Sequence, residues 1–389
     1  MKRDAADPLP EGLWLPFFLP MYLSRLRILN YKNIREADLA FSPKINCFVG
    51  NNGMGKTNLL DAVYYLSFCK SHCNAIDSQN ITHDEEFMML EGTYERGERK
   101  VDIHCDLKRR QKKHFKCDKK EYEKLSDHIG LLPLVIISPA DGALISEGSD
   151  ERRKFMDGFI SQYDKKYLSC LLAYNNALSQ RNAMIKAENR EDLLLDVLEA
   201  QMVEYGSYIF AKRSDFIEHF LPHFSEFHQI VSDGKEQVGL TYRSHLQDSL
   251  PFEEQLKATR DRDFVIGYST KGIHKDDLDM EMGGLPIKRI GSQGQNKTYL
   301  IALKLAQFNF LKEQGGVRPI LLLDDIFDKL DAQRVSRILQ LLRDDRFGQV
   351  FISDTDREHL SSILEHSGCD YLLFKVEDGV VEQLMEVKR

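Results

Sequence analysis

A glycine-rich segment that ends at residue 57 carries the residue types that bind phosphate groups. It matches the Walker A pattern, in which glycines let backbone N–H groups turn toward the phosphates. Lys56 would reach the β- and γ-phosphates as a catalytic residue, and Thr57 would ligate magnesium. The sequence therefore predicts a site for ATP with Mg²⁺. The predicted nucleotide-binding residues of this loop are Gly50, Asn51, Asn52, Gly53, Met54, Gly55, Lys56, Thr57 and Asn58.

Two adjacent carboxylates follow a strongly apolar segment, Ile320–Leu323. This is the Walker B arrangement, in which a buried strand presents acidic side chains at its end. Asp324 is predicted to hold magnesium through water, and Asp325 stands where a general base could activate the attacking water. A solvated Asp-Asp turn after a core strand is the alternative, and the Walker A loop argues against it.

Four residues just before a predicted helix resemble the signature loop of ABC-type ATPases: Ser292, Gln293, Gly294 and Gln295. In that class, the serine hydroxyl and the helix N-terminus of one subunit contact the γ-phosphate held by the other. Ser292 is therefore a predicted catalytic residue. The order Walker A, signature and Walker B, followed by a D-loop at residues 329–331, implies an ATP-dependent homodimer with two composite sites. A signature loop cannot reach phosphates bound to its own chain.

Apolar periodicity predicts the elements that must position these residues. Strands are predicted at Arg25–Ile28, at Ile45–Val49 before the phosphate loop, and at Leu134–Ile137. A helix should follow the phosphate loop, because three apolar residues fall on one of its faces: Leu59, Val63 and Leu66.

From about residue 150 to 225 the periodicity becomes helical. The sequence predicts one apolar face made of Leu168, Leu171, Leu172 and Leu178 and a second made of Leu194, Leu198, Met202, Tyr205 and Ile209. No sustained heptad is present, so a long coiled-coil arm is not expected. Strand-like sequence returns near Phe264.

The last third of the chain alternates between helix and strand patterns. A helix runs through Ile301, Leu305 and Phe308, and strands at Ile320–Leu323 and Val350–Ile352 have another helix between them. This alternation predicts a mostly parallel sheet covered on both faces. The predicted fold class is α/β, an ABC-type P-loop ATPase head with an inserted helical lobe. Its predicted divisions are an unstructured leader (1–20), the ATPase lobe with Walker A (21–138), the helical lobe (139–262) and the rest of the ATPase lobe (263–389).

Composition narrows the function classes. Hydrophobic residues make up 42% of the 389 residues, yet no apolar run reaches the roughly 18 residues of a membrane-spanning helix. Seven scattered cysteines without paired spacing fit a reducing cytoplasm. Cys69, His72 and Cys73 have the spacing of only half a metal site, and no second half follows.

The net charge of −8 argues against a uniformly basic surface, so any DNA contact must be local. One dense basic run, residues 108–120, surrounds Phe115. It could bind DNA, or it could equally be a lysine-rich edge strand that prevents aggregation between sheets. A second basic pair, Arg152 and Arg153, could bind DNA or could equally form salt bridges within the helical lobe. The DNA-binding candidates are Lys108, Arg109, Arg110, Lys112, Lys113, Arg152 and Arg153.

From Met21 onward the chain resembles the RecF family of ABC-type ATPases, which carries a compact helical lobe. Beside the motifs above, the resemblance rests on Asn30–Asn33, Ser138–Asp141, Arg152–Asp157, Tyr174–Asn182 and Gly272–Asp277. It implies a protein of recombinational repair that binds DNA when ATP closes the dimer. The implied DNA is gapped, single-stranded or a single-strand/double-strand junction, and the implied partners are RecR, RecO and RecA.

Some positions depart from the family pattern. Ile273 stands where the family usually has proline, and Lys275 stands where it has arginine. The neighbouring His274, Asp276 and Asp277 suit either a positioning loop near the signature or a metal site.

Two positions that differ from fast ABC cassettes determine the hydrolysis rate that we expect. Ser353 or Asp354 occupies the position of the switch histidine of transporter cassettes, and Asp325 replaces the glutamate of fast cassettes. We therefore expect slow hydrolysis, with ATP acting as a timer for the closed dimer.

An alternative function remains open on the sequence alone, namely an ABC-type ATPase subunit that acts with a protein partner rather than on DNA. A transporter subunit would need a membrane partner and normally the switch histidine. A defence ATPase would usually carry or accompany a nuclease domain.

Overall fold

The computed structural model describes residues 19–232, 234, 236–327, 330–343, 347–355, 360 and 370–387. The predicted leader lies outside these residues except for Leu19, which bridges to Val317, and Pro20. The strands are β1 Met21–Tyr31, β2 Ile34–Ala40, β3 Ile45–Val49, β4 Phe87–Arg96, β5 Arg99–Lys108, β6 His114–Cys117, β7 Lys120–Glu121, β8 Leu134–Ile137, β9 Val238–Arg243, β10 Asp277–Met282, β11 Leu285–Pro286, β12 Ile320–Asp324, β13 Val350–Asp354, β14 Tyr371–Glu377 and β15 Val380–Val387.

All the helices of the described part of the chain follow β8, except α1, which comes after the phosphate loop. They are α1 Lys56–Phe68, α2 Ala143–Ser146, α3 Ser149–Tyr163, α4 Lys165–Lys186, α5 Asp192–Ser232, α6 Phe252–Ile266, α7 Ile287–Ile290, α8 Gln293–Gly315 and α9 Ala332–Arg343. Within the described part of the chain, no helix combines the length and apolar character needed to cross a bilayer.

The central sheet has the strand order β15-β14-β3-β13-β12-β8. Its inner pairs are all parallel, and only β15 runs antiparallel to its neighbour. The prediction of a mostly parallel sheet is confirmed. Because the strands are parallel, the phosphate loop after β3 and the acidic pair after β12 emerge at the same edge of the sheet.

Both faces of the central sheet are buried. Alternate residues of each strand enter different hydrophobic clusters: Leu321 and Leu323 face the helical layer, whereas Leu322 and Phe351 face α1 and a second sheet. Every residue of β3, β8, β12 and β13 is buried. This explains why these strands are continuous apolar runs in the sequence rather than alternating ones.

A second, antiparallel sheet with the order β2-β1-β4-β5-β6-β7 was not predicted as a sheet. Its inner face packs on α1, where the position of Gly92 in β4 leaves room for Leu66. The basic run of the sequence lies at its β5–β7 edge. The helix that follows the phosphate loop is therefore held between two sheets.

The helical layer consists of α3 to α6 and α8, with the small sheet β11-β10-β9 beside it. The predicted apolar face of α4 was wrong, because Leu172 is 53% exposed and the buried face carries Tyr167, Cys170, Tyr174, Ala177 and Arg181. The face predicted for α5 is confirmed at Leu198, Met202 and Ile209. Phe264 lies in α6, so the strand predicted there was also wrong.

Two buried arginines connect the helices of this layer. Arg181 donates to Glu199 of α5 and Asp263 of α6 at 2.9 and 2.8 Å. Arg213 donates to Asp157 of α3 and to Asp276, each at 2.8 Å. Their charged partners are far away in sequence, so the apolar pattern could not reveal these positions.

Candidate functional site

The phosphate loop connects β3 to α1, as the sequence predicts. Lys56 is buried, and its ammonium group donates to the backbone carbonyls of Gly50 and Asn51 at 2.7 and 3.0 Å. Gly55 has a φ of +115°, and a Cβ there would lie 2.8 Å from the Asn33 side chain. The loop therefore requires glycine at this position for both its conformation and its packing.

Two turns from other parts of the chain brace the phosphate loop. Asn33, in the turn between β1 and β2, donates to the Met54 carbonyl at 3.1 Å and accepts from Asn58 at 2.7 Å. The backbone N–H of Gly379, in the turn between β14 and β15, also donates to the Met54 carbonyl, at 2.9 Å. The sequence motif that contains Asn33 contributes in this way to the shape of the site.

The acidic pair of Walker B meets the phosphate loop directly. The hydroxyl of Thr57 lies 3.1 and 3.0 Å from the two carboxylate oxygens of Asp324. Ser353 donates to the same carboxylate at 2.6 Å and accepts from the backbone N–H of Asp325 at 3.1 Å. A hydroxyl and a carboxylate that converge in this way are oxygen ligands of the kind that Mg²⁺ prefers. The two predicted metal ligands therefore fit magnesium.

Asp325 has an unusual backbone conformation for a residue other than glycine, with a φ of +47°. Its side chain lines a cavity of about 760 Å³ together with Asn52 of the phosphate loop and Asp354. Gln293 and Lys297 of α8 line the same cavity. The predicted base thus faces a space bordered by both the phosphate loop and the first turns of the signature helix.

A buried carboxylate anchors α1 from below the phosphate loop. Asp61 accepts hydrogen bonds from Tyr31, Lys32, Ser71 and the backbone N–H of His72, at 2.5 to 2.6 Å. Burial, followed by the charge of Asp61, raises the pKa of Tyr31 well above its ordinary value. The sequence indicates Tyr31 and Lys32 only through the resemblance and does not identify Asp61, because the contact joins separate segments of the chain.

The signature segment forms the N-terminus of α8. Ser292 accepts from the backbone N–H of Gln295 at 3.2 Å, and Gln295 accepts from the backbone N–H of Ser292 at 2.8 Å. This reciprocal capping box exposes the Ser292 side chain at the start of a 23-residue helix. In the predicted D-loop, residues 328 and 329 lie outside the described residues.

The basic run divides into internal and exposed side chains. Arg109 donates to the Glu85 carbonyl at 2.7 Å, and Lys113 forms a 2.8 Å ion pair with Asp77 while only 14% exposed. Phe115 is buried, so it is a core residue. The side chains of the run that remain exposed on the surface are Lys108, Arg110, Lys112, Lys119 and Lys120.

Arg152 and Arg153 are turned into the helical layer. Arg152 forms two hydrogen bonds with the Asp277 carboxylate, at 2.6 and 3.0 Å. Arg153 donates to the Asp276 carbonyl at 2.6 Å and pairs with Asp150. Both side chains are less than 15% exposed. The structure thus places them in the salt bridges that were the alternative to a DNA contact.

The loop before β10 is held by side chains from several helices. His274 lies 2.8 Å from the Tyr174 hydroxyl and 3.0 Å from the Ser269 carbonyl, and burial lowers its pKa to about 4. Asp276 is buried between Arg213 and Tyr242, and burial raises its pKa despite the arginine. These contacts favour the positioning role of the loop over a metal site.

No group of three or more potential metal ligands occurs among the residues that the structure describes. The two cysteines of the half-site considered in the sequence differ in burial, because Cys69 is buried whereas Cys73 is exposed. Burial raises the pKa of Cys69 to about 12, so its thiol stays protonated at neutral pH.

Comparisons with known proteins show the family of this chain. The sequence model of the RecF/RecN/SMC N terminal domain matches residues 22–377. The DNA replication and repair protein RecF of Phocaeicola vulgatus is 59% identical over 371 residues, covering 94% of this chain and all of the relative. The RecF protein of Porphyromonas gingivalis is 52% identical over 365 residues, covering 93% of this chain and all of that relative.

Solved structures give the same result for the fold. The recombination mediator protein RecF with ATP, of the RecFOR pathway, has a TM-score of 0.86 and 28% identity, covering 95% of this chain and 99% of its own. The Smc head domain of Pyrococcus furiosus bound to the C-terminal domain of ScpA has a TM-score of 0.56 at 17% identity, covering 94% and 96%. The latter likeness shows the fold alone.

Proposed function

This chain belongs to the RecF family, and from that premise we propose that it is an ATP-dependent DNA-binding protein of recombinational repair and replication restart. One observation carries the proposal: Thr57, Asp324 and Asp325 meet at one edge of the parallel sheet beside the phosphate loop. An ATPase requires this arrangement, and RecF relatives with the same overall fold bind ATP.

The residues divide the work of hydrolysis among them. Lys56 lies at the phosphate loop, where its ammonium group would transfer from backbone carbonyls to the β- and γ-phosphates. Thr57 and Asp324 would hold Mg²⁺, which neutralises charge on the phosphate oxygens when bound. Asp325 would accept the proton of the attacking water. The hydroxyl of Ser353 donates to Asp324 and keeps this carboxylate oriented.

The signature helix supports an ATP-dependent homodimer. Ser292 is exposed at the N-terminus of α8, where the helix dipole favours a negatively charged phosphate. In a dimer with two composite sites, Ser292 and Gln293 of each subunit would contact the γ-phosphate held by the other. ATP would then link the subunits, and hydrolysis would release them.

The proposed turnover is slow, well below the median enzyme value of about 10 per second. Asp325 has a shorter side chain than glutamate, and Ser353 or Asp354 occupies the position of the switch histidine. ATP therefore serves as a timer for the closed dimer. A turnover in the range of transport ATPases would contradict this part of the proposal.

The proposed DNA contact is the segment 108–112, at the end of β5 and in the turn before β6. Lys108, Arg110 and Lys112 are exposed there, whereas Arg109 and Lys113 are held by the protein itself. Three cations on each subunit of a dimer can neutralise phosphates on both sides of a cleft. The substrate would be gapped DNA, single-stranded DNA or a single-strand/double-strand junction in the cytoplasm, and the partners RecR, RecO and RecA.

The test is steady-state ATP hydrolysis at fixed salt, with and without gapped duplex DNA. We expect DNA to stimulate hydrolysis by the wild type, and we expect the Lys56→Ala variant to show no hydrolysis with or without DNA. A variant at Lys44, which lies away from the site before β3, serves as the matched lysine control. Hydrolysis that is indifferent to every DNA would leave an ATPase that acts on a protein partner.

A further inference from the structure

A hydroxyl on a third strand borders the hydrolysis site. Ser138 directly follows β8, which pairs with β12 so that Ile137 lies opposite Leu323. Since parallel strands end at the same edge, Ser138 lies beside Asp324 in the sheet. It also lines the cavity that Asp325 and Asn52 border. No nucleotide-binding motif of the sequence includes this serine.

His72 contacts that hydroxyl from the segment after α1. Its Nε2 atom lies 3.3 Å from the Ser138 Oγ atom. The imidazole ring packs against Tyr64 with a centroid distance of 5.0 Å, and the backbone N–H of His72 donates to Asp61 at 2.6 Å. The position of His72 is therefore set by α1, the helix that begins in the phosphate loop.

A hydrogen bond from the Ser138 hydroxyl to Nε2 requires a neutral imidazole ring. Burial, followed by the charge of Lys304, lowers the pKa of His72, so the imidazole is neutral at neutral pH. A neutral imidazole has one nitrogen that accepts a hydrogen bond. The Ser138 oxygen also accepts from the backbone N–H of Asp141 in a capping box. When Nε2 accepts the Ser138 proton, one lone pair of the Ser138 oxygen is left for the cavity.

We propose that His72 is a positioning residue for ATP hydrolysis, which orients the Ser138 hydroxyl so that Ser138 and Asp325 together hold the attacking water. A water molecule needs two acceptors for its protons if its own lone pair is to face the phosphorus atom. Asp325 supplies one acceptor and takes the proton, and the Ser138 oxygen supplies the second. This inference rests on the proposed role of Asp325.

The backbone of Ser138 is fixed independently of His72. Its N–H donates to the Asp141 carboxylate at 2.8 Å, and Asp141 forms a buried ion pair with Lys304 of α8 at 2.7 Å. Only the rotation of the Ser138 hydroxyl therefore depends on His72. Replacing His72 should alter the rate of hydrolysis without altering the affinity for ATP.

The experiment compares single-turnover hydrolysis with separately measured ATP affinity in the full chain. The variants are Ser138→Ala, His72→Phe, His72→Gln and the double variant Ser138→Ala/His72→Phe. His83→Phe is the matched control, because this histidine is 94% exposed and pairs with its neighbour Asp84. Asp325→Asn tests the proposed function separately: hydrolysis that persists in this variant would remove Asp325 as the base, whatever His72 does.

We expect Ser138→Ala and His72→Phe each to slow hydrolysis about tenfold, the effect of one hydrogen bond lost in the transition state. The double variant should also be about tenfold slower, because both changes remove the same interaction. Glutamine at position 72 retains a hydrogen-bonding amide and should restore most of the rate. ATP affinity and the control variant should match the wild type.

Three results would overturn the inference. They are a wild-type rate in Ser138→Ala, a loss of about a hundredfold in the double variant, and a fall in ATP affinity that equals the fall in rate. If His72→Phe lowers the melting temperature sharply, its rate does not test the inference, and the comparison of Ser138→Ala with His72→Gln tests it instead. Slow hydrolysis in the first and near-normal hydrolysis in the second would then support the positioning role.

Discussion

The buried ion pairs of the helical layer allow a quantitative prediction for the replacement Arg181→Met. Arg181 is 1% exposed and donates to Glu199 and Asp263, which are 1% and 0% exposed. Methionine fills similar space but leaves the carboxylate of Asp263 without its cation. Glu199 retains Arg260 at 2.7 Å, so only one carboxylate loses its countercharge completely. Breaking a buried pair on one side costs about 3–5 kcal/mol, and we expect a loss of stability in that range.

The loss should come from the charge that Asp263 keeps rather than from lost packing. Asp263 still accepts hydrogen bonds from the backbone N–H and the hydroxyl of Thr270, at 3.0 and 2.6 Å, but neither group carries a charge. Removing the carboxylate charge with a second substitution should therefore recover part of the stability.

Hydrogen exchange of peptides from α4, α5 and α6 measures the opening free energy of this layer directly. Lys257→Ala is the control, because its ion pair with Glu253 is half-exposed on α6 and should contribute little to stability. Adding Asp263→Asn to the variant should restore part of the stability. A loss under about 1 kcal/mol in Arg181→Met, or no recovery in the double variant, would refute the reasoning.

Three further predictions concern the ATP site and the DNA contact. Asp325→Asn should reduce hydrolysis by about 10²- to 10⁴-fold, measured by phosphate release, while ATP binding measured by calorimetry is retained. Gly379→Ala should weaken ATP binding in the same calorimetric assay, because a Cβ there would lie 2.1 Å from the Asn33 carbonyl and displace the turn that braces Met54. Alanine at Lys108, Arg110 and Lys112 together should lower DNA affinity and its salt dependence in fluorescence anisotropy. Arg152→Ala should lower the melting temperature instead.

The core of the site could be predicted because its chemistry is local in the sequence. The phosphate loop and the acidic pair each follow a fully buried strand, and buried parallel strands are apolar runs that the sequence shows directly. The bracing contacts could not be predicted. Asn33 and Gly379 meet at Met54 from turns more than three hundred residues apart, and the contact leaves no pattern in either turn.

The errors in the fold have a related physical cause. The core face of α4 carries Tyr174, whose hydroxyl reaches His274, and Arg181, whose charge is matched by other helices. The spacing of the leucines in α4 therefore predicted the wrong buried face for that helix. In α6 the fully buried Asp263 interrupts the apolar repeat, which made the segment near Phe264 resemble a strand. Polar residues can be buried when they are paired inside a protein, so a prediction that assigns only apolar residues to the core misses them.

The same internal pairing bears on how an acidic protein can contact DNA. Arg152, Arg153, Arg181 and Arg213 are all bound to carboxylates or carbonyls within the helical layer, so they contribute little to the outer potential. With a net charge of −8, the remaining surface repels a polyanion except where exposed lysines and arginines are close together. The β5–β7 edge is such a place in the described part of the chain. A dimer that brings two of these edges to one duplex doubles the number of phosphate contacts. ATP-dependent closure of the dimer can therefore control DNA affinity without any structural change within a subunit.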